Sequence, residues 1–428
     1  MRKGIMNFLA VTWVVFAMCI ISPVMAAETV RIGSLFPLSG PLALLGNESF
    51  NGAIIAADMV NDKGGLWGKK IEWVKGDAVD PKKAMTECER LINVEKLKLI
   101  MGTYGSSLAY AATEVAERNK VLYWEQGGAA DPVTERGFKY TFRLLPRASN
   151  FGITAAEFAN EVIAPKLGIE PKNLKVAVIH EDSLAGTIIG GNAAKRAIEL
   201  GMKVIAVESY SLKTVDLSPV VMILKDRKPD VLFALQYLQD GLLFYRQAKD
   251  MKLNVKAFVG MGACYGMPDF GKAFGDEGNY VFEADPAVGI NPNIYSARTK
   301  ALLQEFKEKF NKKFGHIPAV HASLGFTAAH VLFEDVLPRA GCIDPEAVRK
   351  AALGVDIPKG GTIMGYGVKF APPDHPSAGT NLLAHVVMLQ WQEQQLWSVY
   401  PKGFAIRDPL LPFPTWEERA KGTYRFTK

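Results

Sequence analysis

Strand-like and helix-like segments alternate almost without interruption from Val30 to residue 260. The short apolar run Val30–Phe36, for example, precedes a segment at residues 47–63 whose apolar residues recur at helical spacing. Alternation with short connections is typical of parallel sheets that are covered by helices on both faces. The pattern pauses at residues 142–148 and then restarts, which predicts an α/β protein of two lobes, each a doubly wound parallel sheet.

The segments after residue 260 must be shared between these two lobes. We expect the chain to cross between them near residues 142–148, 282–286 and 362–370, forming a three-stranded hinge. The lobes then divide as follows: residues 27–143 with 286–362 in the first, and residues 144–285 with 363–428 in the second. Two such sheets face each other with the carboxyl ends of their strands around a cleft, where these folds bind ligands.

The amino-terminus has the pattern of a secretory signal peptide at residues 1–26. Arg2 and Lys3 precede an apolar run at residues 8–21, and Val-Met-Ala at residues 24–26 offers a cleavage site. The run is too short for a membrane-spanning helix. We therefore expect an exported protein that resides in the periplasm.

The charge balance argues against a nucleic-acid partner. Without Arg2 and Lys3, 48 of the 50 basic residues remain against 44 acidic ones. This small excess is dispersed along the chain, and no basic run is interleaved with aromatic residues. Nucleic acid is therefore not an expected partner.

No residue pattern is typical of a metal site, a cofactor site or a catalytic centre. Residues 180–182 (His-Glu-Asp) end a strand-like segment without a nucleophile beside them, which favours a polar cleft rim over acid–base catalysis. Three further histidines lack metal-ligand spacing: His316, His321 and His330. Three cysteines follow residue 26, and a disulfide between two of them stays an open alternative: Cys88, Cys264 and Cys342. We expect a non-enzymatic protein without a cofactor.

Two strand-like segments end in turns of very small residues. Residues 99–105 lead into Ser106 and Ser107, where a helical pattern begins, and residues 121–127 lead into Gly-Ala-Ala-Asp-Pro at 128–132. Small residues let a ligand approach the backbone. The serine hydroxyls and the free N–H groups of a helix start predict an anion site. An ordinary strand-to-helix turn capped by serine is the alternative.

An ordered set of motifs resembles a known family. The motifs are Arg-Ile-Gly-Ser-Leu-Phe-Pro-Leu-Ser-Gly-Pro at residues 31–41, Asn-Asp-Lys-Gly-Gly at 61–65, and Ile-Met-Gly at 100–102 followed by Ser106 and Ser107. Because these motifs occur in the same order, the chain is similar to periplasmic binding proteins for branched-chain amino acids over nearly its whole mature length. The resemblance implies the type I periplasmic binding protein fold, whose lobes close over a small carboxylate ligand. It also implies delivery of that ligand to an inner-membrane ABC permease complex, and we expect a monomer.

The resemblance transfers the family's carboxylate site but not its ammonium site. It assigns the ligand carboxylate to the hydroxyls and backbone of four residues: Ser106, Ser107, Gly128 and Ala129. The family's threonine, whose hydroxyl contacts the ligand ammonium, is replaced by Ala130. A tyrosine and an acid are also absent, since Ala185 replaces the former and residues 261–264 read Met-Gly-Ala-Cys.

The remaining candidate residues would form the wall of the ligand site: Leu45, Tyr104, Trp124, Tyr237, Cys264 and Tyr265. Burying an ammonium without a counter-charge is costly. The losses therefore predict a hydrophobic or aromatic carboxylate without an α-amino group. In the alternative, Glu125, Asp131 or Asp240 rebuilds the ammonium site and a branched-chain or other hydrophobic amino acid binds. A periplasmic ligand sensor of the same fold is a further alternative.

Overall fold

The computed structural model describes residues 28–286 and 291–422. The predicted signal peptide at residues 1–26 lies outside these residues. Within them the chain forms two α/β lobes, each built on its own sheet, and this confirms the expected fold class. None of the helices in the described residues is long and apolar enough to cross a bilayer.

The sheet of the first lobe has five strands: β1 (Val30–Phe36), β2 (Ile71–Asp77), β3 (Leu99–Tyr104), β4 (Leu122–Gly127) and β5 (Thr141–Arg143). All neighbours run parallel in the order β2-β1-β3-β4-β5. Three helices follow the first three strands: α1 (Ala43–Asp62), α2 (Pro81–Asn93) and α3 (Ser106–Arg118). Helix α2 begins where the Asp80 carboxylate accepts the Lys83 N–H at 2.8 Å, with proline at the first helical position.

The sheet of the second lobe has seven strands: β6 (Lys175–Glu181), β7 (Lys203–Tyr210), β8 (Val231–Gln236), β9 (Ala257–Ala263), β10 (Phe282–Pro286), β11 (Val386–Gln392) and β12 (Gln395–Tyr400). Their order is β12-β11-β10-β9-β8-β6-β7. Only β11 runs antiparallel to both of its neighbours.

Eleven further helices follow α3 in the described residues: α4 (Ala148–Phe158), α5 (Ala164–Leu167), α6 (Leu184–Glu199), α7 (Ser218–Arg227), α8 (Leu238–Asp250), α9 (Pro268–Phe274), α10 (Ala297–Phe314), α11 (Val320–Val331), α12 (Leu337–Ala340), α13 (Pro345–Leu353) and α14 (Trp416–Ala420). Helices α10, α11 and α13 pack with α1 on one face of the first sheet, while α2 and α3 cover the other. The second sheet is covered by α4 and α6 on one face and by α7 and α8 on the other.

The third crossing between the lobes lies later than residues 362–370, where the sequence led us to expect it. Three residues beyond position 362 pack in the core of the first lobe: Ile363, Val368 and Phe370. The Asn381 N–H still donates to the Arg143 carbonyl at 2.8 Å, so the chain runs beside β5 at this point. It joins the second sheet only at Val386, the first residue of β11.

Candidate functional site

A cavity of about 580 Å³, its open mouth included, lies where the carboxyl ends of the strands of the two sheets face each other. Residues at the ends of β3 and β4 and in α11 form much of its first-lobe wall, and residues at the ends of β8, β9 and β10 form much of its second-lobe wall. Its lining includes Tyr104, Ser106, Ala129, Leu145, Phe151, Ala185, Ile189, Leu235, Tyr237, Asp285, His321 and Leu324. A ligand in this cavity would contact mostly apolar groups and a few polar ones.

The start of α3 supplies an anion-binding group to this cavity. Gly105 has a φ of +94°, a left-handed conformation that turns the chain from β3 into the helix. Ser106 is buried, and its Oγ accepts the Ala130 N–H at 3.0 Å, so its own proton is free to donate. The first N–H groups of a helix have no partners within it, and its dipole is positive there. These groups can bind a carboxylate.

A buried carboxyl group organises the second small-residue turn. The Glu125 Oε1 atom accepts the N–H groups of Thr103, Gly127 and Gly128 at 2.9, 2.7 and 2.6 Å. The expected contact between the Gly128 N–H and a ligand carboxylate is therefore wrong, because this donor is already used inside the first lobe. The neighbouring Ala129 lines the cavity. The N–H group of Ala129 has no acceptor among the described residues and can take the role expected of this turn.

Glu125 makes stability depend on pH. Burial raises the pKa of its carboxyl to about 7, against the opposing effect of the hydrogen bonds it accepts. The folded protein thus retains a proton that the unfolded chain releases near pH 4.5, so the unfolding free energy falls as the pH rises through this window.

We expect Glu125→Gln to reduce this fall by roughly 1.4 kcal/mol per pH unit at most, because glutamine resembles the protonated acid. Chemical denaturation of the wild type and the variant at intervals from pH 5 to pH 8 measures the difference. Parallel curves for the two proteins would contradict the assignment.

The structure separates the expected wall residues into two groups. Tyr104 and Tyr237 line the cavity, with their ring centroids 6.4 Å apart. His321 was missed as a wall residue, and its ring lies 4.9 Å from that of Tyr104. Burial lowers the pKa of His321 to about 4, so the imidazole is neutral at neutral pH.

The other expected wall residues are core residues and do not line the cavity. Trp124 is wrong as a ligand contact, because it packs against Phe142 and Phe370 and its Nε1 donates to the Ala328 carbonyl at 2.8 Å. Cys264 and Tyr265 pack in the core of the second lobe around β8, and Leu45 of α1, in the first lobe, packs against the same hydrophobic cluster. Tyr265 donates its hydroxyl proton to Gln236 there.

Two further candidates from the small-residue turns also lie outside the lining. Ser107 is half-buried at the second position of α3, and Ala130 is fully buried with its N–H on Ser106. Of the four residues assigned to the ligand carboxylate, the structure thus brings Ser106 and Ala129 to the cavity.

The three cysteines of the described residues are free thiols: Cys88, Cys264 and Cys342.

The acids expected to rebuild an ammonium site do not reach the cavity. The Glu125 carboxyl accepts the Gly128 N–H of its own turn. Asp131 accepts the Ser149 N–H at 3.0 Å, and Asp240 accepts the Tyr210 hydroxyl proton. Asp285 at the end of β10 lines the cavity instead. The alternation of Glu283 and Asp285 along a strand was the available sequence signal, since residues two apart share one face.

No metal centre can be assembled from the described residues, because no group of three or more His, Cys, Asp and Glu side chains is placed to hold an ion. The cavity therefore offers an anion-binding helix start, one buried carboxyl and apolar walls. These features suit the reversible binding of a small molecule.

Comparison with known proteins gives a family match over most of the chain. Residues 29–388 match the model of the periplasmic binding protein family. The Leu/Ile/Val-binding protein homolog 7 of Brucella suis is 38% identical over 388 residues, which cover 90% of this chain and 95% of the relative. Homolog 8 of Brucella abortus is 37% identical over 385 residues, covering 89% and 93% respectively.

Solved structures share the two-lobed fold. A leucine-binding protein of Thermotoga maritima has a TM-score of 0.73 at 21% identity and covers 87% of this chain and 98% of its own. An ABC transporter solute-binding protein of R. palustris in complex with benzoate has a TM-score of 0.74 at 18% identity, covering 89% and 98%. At these identities the structures show the fold, while the family model and the Brucella relatives carry the assignment. The chain belongs to the periplasmic binding protein family.

Proposed function

We propose that this protein is the substrate-binding component of an ABC transporter and captures a small carboxylate with an apolar body between its lobes. The observation that carries the proposal is the start of α3, where Ser106 faces a cavity with mostly apolar walls. A helix start of this kind favours an anion, and the apolar walls favour a hydrocarbon or aromatic body. The ligand would pass to an inner-membrane permease, with the binding protein acting as a monomer without catalysis.

The similar proteins agree with this ligand class. The T. maritima neighbour is a leucine-binding protein, and the R. palustris neighbour holds benzoate. Both ligands are carboxylates with an apolar body, and they differ in the α-amino group. The sequence led us to expect a ligand without that group because its counter-charges were missing. Asp285 weakens this argument, since it places a buried carboxyl in the cavity and favours a hydrophobic amino acid as the second candidate.

Replacing Ser106 with alanine tests the carboxylate site. We expect about tenfold weaker binding or more, because a hydrogen bond to a charged group is lost. Isothermal titration with leucine and with benzoate measures the change. Ser107→Ala is the matched control and should change affinity less than about twofold, since that hydroxyl lies outside the lining. Equal effects of the two substitutions would contradict the site.

Export to the periplasm is part of the same proposal. Family membership supports it, as does the pattern of residues 1–26. Amino-terminal sequencing of the exported protein should begin at Ala27. Adjacent permease and ATPase genes would support uptake, whereas an adjacent kinase gene would support a sensor of the same fold.

A further inference from the structure

Two buried acids of β10 lie at the second-lobe side of the cavity. Glu283 and Asp285 are two residues apart and therefore lie on the same face of the strand. Glu283 is 0% exposed and Asp285 is 3% exposed. Asp285 lines the cavity, whereas Glu283 lies behind it.

Glycines around β9 make room for these two carboxyl groups. The Gly262 N–H donates to the Glu283 Oε1 at 2.9 Å. A Cβ at Gly260 would lie 1.8 Å from the Glu283 Oε2, and a Cβ at Gly266 would lie 2.8 Å from the Asp285 Oδ2. Alanine at either position would therefore displace the acids, so their placement depends on the glycines beside them.

The surrounding residues that the structure describes leave one oxygen of each acid without a hydrogen bond. The Glu283 Oε2 and the Asp285 Oδ2 are buried and have no hydrogen-bond partner in the described residues. No lysine, arginine or histidine of the described residues lies within ion-pair distance of either acid. Unpaired buried carboxylates are costly, so each acid favours its neutral form.

The titratable groups around the pair add no positive charge. The Tyr104 phenol interacts with both acids, and the Cys264 thiol and the Tyr265 phenol interact with Glu283. The imidazole of His321, which lines the same cavity as Asp285, is neutral at neutral pH. Burial raises the pKa of both Glu283 and Asp285 well above the usual range, and the charge of Asp285 raises that of Glu283 further. The pair therefore favours retaining a proton before a ligand binds.

We propose that Glu283 and Asp285 form a subsite for a cationic group of the ligand, and that binding of this group displaces a proton from the pair into solvent. The carboxylic acid becomes a carboxylate, its proton passes to the buffer, and the ligand's ammonium supplies the opposing charge. Asp285 contacts the ligand, and Glu283 is a positioning residue behind it. The inference rests on the proposed function, because the ligand's carboxylate end is taken to lie at Ser106.

Two matched probes, leucine and 4-methylpentanoate, test this inference. They share the carboxylate and the branched apolar body, and only leucine carries an ammonium. Titration calorimetry at pH 7 in two buffers of different ionisation enthalpy measures proton release. We expect leucine to release about one proton per molecule bound and to bind more tightly as the pH rises from 6 to 8, whereas 4-methylpentanoate releases none.

The Asp285→Asn variant separates charge from packing, since asparagine has nearly the same shape. We expect it to weaken leucine binding by about tenfold or more, to abolish proton release and to leave 4-methylpentanoate binding nearly unchanged. Glu283→Gln should reduce proton release while retaining a preference for leucine.

The remaining outcomes would overturn either the cationic subsite alone or carboxylate capture as well. Leucine binding without proton release, or an equal loss of both probes in Asp285→Asn, would overturn the cationic subsite. Binding of 4-methylpentanoate as tightly as leucine would also overturn it, while carboxylate capture would stand. If neither probe binds the wild type but benzoate does, the cationic subsite fails while carboxylate capture stands; if benzoate does not bind either, carboxylate capture fails as well.

Discussion

Replacing Gly52 with valine is expected to lower the unfolding free energy by about 3 kcal/mol, because the glycine sits at a backbone contact between two helices. A Cβ at Gly52 in α1 would lie 1.9 Å from the carbonyl oxygen of Ala322 in α11. On the opposite helix of the same contact, a Cβ at Gly325 in α11 would lie 1.9 Å from the carbonyl oxygen of Ser49 in α1. Backbone atoms cannot rotate away as side chains do, so α1 and α11 would have to separate.

Gly191→Val is the matched control for this substitution. Gly191 also lies within a helix, α6, and a Cβ there would meet no atom within 4 Å. We expect the control to change the unfolding free energy by less than about 0.5 kcal/mol, because valine and glycine differ little in helix propensity. Chemical denaturation followed by circular dichroism measures both variants. Similar midpoints for the two would show that the contact between α1 and α11 can relax.

The two lobes could be predicted from the sequence because their origin is local. Each apolar strand followed by an amphipathic helix indicates one unit, and the restart near residues 142–148 indicates the second sheet. The close backbone contacts of Gly52 with Ala322 and of Gly325 with Ser49 could not be predicted in this way. It depends on which helices of a distant segment pack together, and nothing in the local pattern of either helix specifies its partner.

In the candidate site, too, residues placed by local structure could be predicted, whereas residues placed by tertiary contacts could not. Ser106 and Ala129 lie at the cavity as expected, since both follow strands of the first sheet directly. Gly128 was assigned wrongly because its N–H had a second acceptor, Glu125, whose burial beneath the turn is a tertiary feature. Asp285 was missed for a similar reason. Its position depends on β10 lying beside β9, which strand order along the sequence alone does not specify.

Arg143 connects the turn at residues 128–132 to the last crossing between the lobes, and Arg143→Met is expected to cost about 3 kcal/mol of stability. Its fully buried guanidinium donates to the Ala129 and Ala130 carbonyls at 2.8 and 2.7 Å and to the Thr380 hydroxyl at 3.1 Å. Burial lowers the pKa of Arg143 to about 10, so it remains charged at neutral pH. Methionine retains much of the side-chain volume but donates no hydrogen bond.

The same substitution should also weaken binding of leucine or benzoate by about tenfold or more, since the turn that aims the Ala129 N–H and holds Ser106 through Ala130 loses its support. Arg147→Met is the control: Arg147 is partly exposed and lies 3.3 Å from Glu135, so we expect less than about 1 kcal/mol of destabilisation. Denaturation and titration calorimetry measure the two effects separately. A destabilised Arg143→Met variant with full affinity would show that the turn keeps its ligand-binding shape without the guanidinium, and Arg143 would then support only the fold.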